Sequence, residues 1–206
     1  MAPHDPDRLL TDEDTLSLTI GRVVRAHARV EYGLRNVREA LDPNPSLENS
    51  PAGFLGADRL VNDCVARLRH SGVTPTVIDA GVRALEAARD ASGLRNQIVH
   101  NLWMLESDGS EGEEPLWNLV GPDPRQAGNG VCSRTTTQTV ENAQTALEHA
   151  AARVSGLFMA LHEVLPRFSE SPRSRRQVSG LPRYLALMDG HLRLDINGDW
   201  EFSSPV

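Results

Sequence analysis

The sequence predicts a mainly α protein: an up-down bundle of four helices, with a small β-hairpin insertion and a C-terminal β-meander. Three observations carry this reading. Apolar residues recur at alternating steps of four and three from Leu16 to Leu41 and again from Val140 to Val164, the period of helices packed lengthwise on neighbours. That period disappears between about 103 and 136, where short apolar runs flank Gly-rich, acidic turns. Near the C-terminus, Asp189-Gly190 and Asn197-Gly198 separate short apolar stretches, the dipeptide pattern of two-residue hairpins.

Each element has its own start and stop signals. Residues 1–10 read as a loose leader. Thr11 then offers a hydroxyl cap, and Asp12, Glu13 and Asp14 favour the positive end of a helix dipole. The stripe Leu16, Ile20, Val23, His27, Val30, Leu34, Val37, Leu41 follows, and Asp42-Pro43 ends it, because proline disfavours helical geometry in the residue before it. A Pro- and Gly-rich loop leads to a short helix over about 57–70, with Leu60, Val61, Cys64, Val65 and Leu68 on one side. Thr74-Pro75 opens a third helix, with Pro where its missing N–H has no cost. Its stripe takes in Ile78, Leu85, Ala88, Val99 and Leu102, and Gly81 and Gly93 point to close packing or a bend. Trp103–Leu105, Leu116–Val120 and Val131–Thr137 read as strands. The fourth helix covers about 138–165, with Val140, Ala143, Leu147, Ala150, Val154, Leu157, Leu161 and Val164 as its stripe, and Pro166 stops it.

The predicted organisation is therefore a helical domain over 1–166, an Arg/Ser/Pro-rich linker over 167–183, and a meander over 184–206 built from Tyr184–Met188, His191–Ile196 and Asp199–Phe202. At 206 residues the chain suits one such domain with an appendage. Two Cys, Cys64 and Cys132, are too few for a disulfide framework or a zinc site by themselves. The N-terminus lacks the basic start and apolar core of a signal peptide, and no apolar run reaches membrane-spanning length. The expectation is a cytoplasmic protein.

All 21 basic residues are Arg, against 28 acids, for a net charge of −7. That balance excludes a strongly basic nucleic-acid coat, and 4% aromatics exclude an aromatic-lined platform. The charge is uneven: net −3 over 1–94, −5 over 95–166 and +1 over 167–206, with five acids between Glu106 and Glu114.

Chemistry concentrates in Gly93-Leu94-Arg95-Asn96-Gln97-Ile98-Val99-His100-Asn101, at the end of the third helix. At about 100° per residue, positions four apart nearly superpose and positions five apart differ by about 140°. Asn96 and His100 thus share a face, where Asn96 can orient the imidazole, and Arg95 must reach round. The Arg95-Asn96-x3-His100 pattern, late in a small up-down bundle, resembles the motif of the HEPN superfamily (higher eukaryotes and prokaryotes nucleotide-binding). The resemblance covers roughly residues 12–165. It implies metal-independent RNA cleavage to a 2′,3′-cyclic phosphate, with His100 moving a proton and Arg95 holding the phosphate, and no cofactor. It also implies a homodimer whose two motifs line one cleft, and a bacterial defence or toxin–antitoxin setting with an antitoxin partner. Leu102 stands where many toxin–antitoxin members carry Tyr. A non-catalytic nucleotide- or partner-binding or dimerisation module of the same fold is the alternative.

The Arg-x4-His spacing recurs at Arg22 and His27, without the Asn. His27 lies on the apolar stripe and reads as a core or interface histidine, with Glu31 one turn on; Arg22, His27 and Glu31 together form a candidate second polar patch. Cys64 reads as core, and His149 and His162 as surface. Asp108, Glu111, Glu113 and Glu114 lack the spacing of a calcium loop and read as a solvated turn, so no metal site is assigned.

Overall fold

The computed structural model describes residues 11–42, 56–107, 115–122, 130–165, 181–190, 192–194 and 200–202. The leader, the loop after the first helix, the acidic turn at 108–114 and the stretch 167–180 lie outside them. The chain is mainly helical: α1 (Asp12–Ala40), α2 (Ala57–Arg69), α3 (Pro75–His100), α4 (Thr137–Val164) and α5 (Leu181–Met188). A three-stranded antiparallel sheet, in the order β1 (Leu102–Ser107), β2 (Leu116–Pro122), β3 (Gly130–Thr136), lies between α3 and α4 in sequence. A ribbon of β4 (Leu192–Leu194) and β5 (Trp200–Phe202) closes the chain.

The chain divides into two compact units. The first holds α1 up to Arg25, α3 from Leu94, the three-stranded sheet and α4 up to Gln144. At its start Thr11 and Asp14 form a reciprocal cap: the Asp14 N–H donates to Thr11 Oγ1 (3.1 Å) and the Thr11 N–H to Asp14 Oδ2 (3.1 Å). Its buried side chains include Leu16, Val23, Ile98, Trp117, Val140 and Ala143. In the sheet Trp103 lies opposite Leu119, and Leu105 opposite Trp117. The β1–β2 register shifts between Leu105 and Ser107, which makes Glu106 the extra residue of a bulge. Arg134 of β3 pairs with this Glu106.

The second unit holds the rest of α1, α3 and α4 with α2, α5 and the ribbon. Here most of the apolar stripes of α1, α2 and α4 is in the core: Val30, Leu34, Val37, Leu60, Val61, Cys64, Leu68, Val154, Leu157 and Leu161 are fully buried, whereas Val65 and Val164 are half-exposed. Helices approach closely where side chains are absent. A Cβ on Gly33 would lie 2.9 Å from Val154 Cγ1, and one on Gly81 would lie 2.7 Å from Leu68 Cδ2 and 2.9 Å from Leu157 Cδ1. Asp63 of α2 accepts from Arg38 Nε (2.6 Å) and Arg67 Nε (3.0 Å), which ties α2 to the end of α1. Partial burial pushes the Asp63 carboxyl up, but the two guanidiniums together hold it below the usual carboxylate range.

Two expectations need correction. On α3 the buried positions are Val77, Ala80, Gly81, Ala84, Leu85, Ala88, Ala91, Ser92 and Ile98, whereas Ile78 and Val99 are half-exposed. Small residues (Ala, Gly and Ser) supply most of that face, so large apolar residues alone misplace its two ends by one position. The second correction concerns Tyr184–Met188, which is helix and not the first strand of a meander. Asp189-Gly190 is the reason. Gly190 has φ 79°, and its N–H donates to Leu187 O (3.1 Å), while the Asp189 N–H donates to Leu185 O (3.0 Å). A helix C-cap and a tight hairpin both want positive φ, and the dipeptide serves the helix here. Leu187 and Met188 are buried, with Leu187 against Gly156 of α4. Two strands of the predicted meander remain, as β4 and β5.

Candidate functional site

Arg95, Asn96 and His100 all lie on the last two turns of α3, within the first unit. His100 is the final helical residue and is exposed; Arg95 is half-buried. Arg95 Nη1 donates to His100 Nε2 (3.1 Å) and to Asn96 Oδ1 (3.1 Å). One Nη nitrogen carries two N–H bonds, so it can serve both acceptors at once. A guanidinium has only donors, which assigns the Nε2 lone pair as acceptor and places the His100 proton on Nδ1. Asn96 therefore acts through Arg95, fixing the guanidinium that in turn holds the imidazole. Arg95 Nε is buried with no partner among the described residues. Among the described residues no carboxylate pairs with Arg95, so within them its charge is not neutralised.

Two further side chains fix the end of α3. Trp103 Nε1 donates to Ile98 O (2.8 Å), satisfying one of the carbonyls that a helix C-terminus leaves open. Next to His100, Asn101 packs on β2: a Cβ on Gly121 would collide with its carboxamide. Helical periodicity does not reveal these anchors; the signal the sequence offers is an indole three residues beyond the helix end.

A cavity of about 180 Å³ adjoins this helix end, lined by Leu94, Gln97, Ile98, Trp103, Leu119, Thr135, Thr139, Asn142 and Ala143. Its α3 residues, Leu94, Gln97 and Ile98, occupy one flank of the helix. At about 100° per residue, Arg95 and His100 each project about 110° from the middle of that flank, on either side. The Arg–His cluster thus does not line the cavity, and its His100 side is exposed while Arg95 is half-buried.

The second candidate patch divides. His27 is 8% exposed, and its Nδ1 lies 3.9 Å from Glu31 Oε1. Glu31 Oε2 also accepts from Arg35 Nη2 (3.3 Å). Arg22 is exposed and projects about 140° away from His27 around α1, so it does not share their face. Cys64 is buried, its thiol donates to Leu34 O (3.5 Å), and burial pushes its pKa up to about 12, which makes it inert. His149 and His162 are half-buried, not surface, and His162 meets Phe158 edge-on at 4.4 Å. The acidic turn of Asp108, Glu111, Glu113 and Glu114 lies outside the described residues. Among those described, no group of three His, Cys, Asp or Glu is placed to hold a metal ion, and no helix is long and apolar enough to cross a membrane.

No family model, curated protein or solved structure matches the chain.

Proposed function

We propose that the chain is a HEPN-type four-helix up-down bundle acting as a metal-independent endoribonuclease in the bacterial cytoplasm, within a defence or toxin–antitoxin system. The observation that carries this reading is the bond from Arg95 Nη1 to His100 Nε2, made at an exposed helix end with no competing carboxylate among the described residues. The pairing brings a proton acceptor and a phosphate-sized cation within one hydrogen bond of each other. In the proposed reaction Arg95 turns to two phosphate oxygens and stabilises the added negative charge. His100 Nε2, released, takes the proton of the ribose 2′-hydroxyl. The 2′-oxygen attacks phosphorus, the P–O5′ bond breaks, and a 2′,3′-cyclic phosphate and a 5′-hydroxyl result. The 5′-oxygen takes its proton from water or from the second His100 of a homodimer.

Purified protein incubated with RNA in chelator tests this. Cyclic-phosphate ends that vanish in His100→Ala support it, and cleavage equal to wild type in that variant sinks it. The second reading is a non-catalytic nucleotide- or partner-binding or dimerisation module, favoured by the present state of His100, whose Nε2 is occupied by Arg95. It predicts binding of RNA, nucleotide or an antitoxin chain with no turnover.

A further inference from the structure

The outer face of α1 carries a second feature, independent of the Arg95 cluster. Arg22, Arg25 and Arg29 are all exposed, and none makes a hydrogen bond or ion pair among the described residues. On one unbroken helix, spacings of three and four place them in a sector of about 60°, and Tyr32 extends that sector to about 80°. Tyr32 is 66% exposed. The other arginines of α1 behave differently: Arg35 pairs with Glu31 and Arg38 with Asp63. Between Leu18 and Asn36 the only acid is Glu31, and it is engaged off this face with His27 and Arg35.

Such a stripe is unfavourable in isolation. Like charges at i,i+3 and i,i+4 weaken a helix, and a chain of net −7 has acids to spare for neutralising them. An unpaired row of guanidiniums followed by an exposed phenol fits a polyanion whose bases are free to stack. We infer that Arg22, Arg25, Arg29 and Tyr32 form a track for single-stranded RNA, the arginines holding successive backbone phosphates and Tyr32 stacking on an unpaired base. A duplex hides its base faces from Tyr32. A lipid surface fits poorly because an interfacial helix must offer a broad apolar face: the main stripe of α1, with Val23, Val30, Leu34 and Val37, is fully buried, and of its large aliphatic side chains only Leu18 and Val24 are exposed. The choice of RNA as the polyanion rests on the proposed nuclease reading; the anionic track does not.

The test uses full-length His100→Ala protein, which keeps the track and does not cut. Anisotropy of a short labelled single-stranded RNA is followed between about 50 and 200 mM salt. Combined Arg22→Gln, Arg25→Gln and Arg29→Gln should flatten the log–log salt slope by about 2 and weaken binding about a hundredfold near 0.1 M salt, at about 0.7 per phosphate contact. Tyr32→Ala should weaken it a further fivefold or more, with Tyr32→Phe close to the parent. Circular dichroism checks that the helix persists. Unchanged affinity and slope in the triple variant overturn the inference, as does binding to phosphatidylserine vesicles in place of RNA. The two proposals fail separately: track-dependent binding without cleavage by wild type defeats only the nuclease, and cleavage with track-independent binding defeats only the track.

Discussion

The chain holds the same five-residue spacing twice, Arg22/His27 on α1 and Arg95/His100 on α3, with opposite outcomes. In the middle of α1 the two side chains belong to faces about 140° apart: Arg22 goes to solvent, and His27 goes to the buried side with Glu31 as partner. At the end of α3, His100 is the last helical residue, no stripe claims it, and Arg95 reaches it. Asn96 anchors the guanidinium between them. Spacing alone does not make an Arg–His pair; a helix end and an anchoring carboxamide do.

The largest expected effect separates the two histidines. His100→Ala should reduce RNA cleavage by about two to four orders of magnitude, the usual worth of a general acid or base, with little change in melting temperature, since the residue is exposed. His27→Ala should do the reverse, keeping kcat and losing about 1–3 kcal/mol of stability in chemical denaturation, because it removes a buried polar side chain from a packed stripe. Loss of cleavage in the His27 variant at a temperature where it is still folded would erase the contrast.

The next contrast lies within α3, which carries the reactive pair. Gly81 is walled by Leu68 and Leu157, both fully buried, so Gly81→Ala should cost about 1–3 kcal/mol through overpacking. Among the described residues nothing lies within 4 Å of a Cβ built on Gly93, and α3 runs unbroken through it. Gly93→Ala should therefore stabilise by about 0.4–1 kcal/mol, because it only removes freedom from the unfolded chain. Equal denaturation midpoints for the two variants would contradict the packing described for α3.

Asn96 tests the anchoring part of the argument. Asn96→Ala should cut kcat about tenfold, the loss of one hydrogen bond to a charged group, while stability holds, since Asn96 is exposed. An unchanged kcat would mean that Arg95 needs no anchor.

Much of this was legible in the sequence, for identifiable reasons. α1, α2 and α4 declare themselves by large apolar residues in register, and the β insertion by the collapse of that register. What escaped was local and degenerate. Alanines bury α3 without advertising it. Asp189-Gly190 codes for positive φ without saying whether a helix or a strand precedes it. At the site, Arg95, Asn96 and His100 were visible as a motif, and the helical wheel put Asn96 beside His100. The wheel locates Cβ atoms, however, and Arg95 has the longer side chain and the donors, so it took both acceptors.

The smallest expected effect compares an arginine cluster that contains a carboxylate with the Arg95 cluster, which contains none among the described residues. Asp63 is held below its ordinary range by Arg38 and Arg67 against the opposing effect of partial burial. A depressed native value means the unfolded chain binds its proton first as pH falls. The Asp63 contribution is thus complete above the unfolded value near 4 and is lost as pH drops through the lower native value. Its partners are partly solvent-screened, with side-chain exposures of 12% for Arg38 and 28% for Arg67, so the contribution should be about 0.5–1 kcal/mol. Asp63→Asn should lower stability by that amount at neutral pH and flatten the acid limb of the stability profile, so that variant and wild type converge as pH falls below the depressed native value. A constant gap between them at all pH values would show that Asp63 acts through hydrogen-bond geometry and not through its charge. Cleavage by the Asp63 variant should match wild type, because Arg95 answers to an imidazole and a carboxamide and, among the described residues, to no acid.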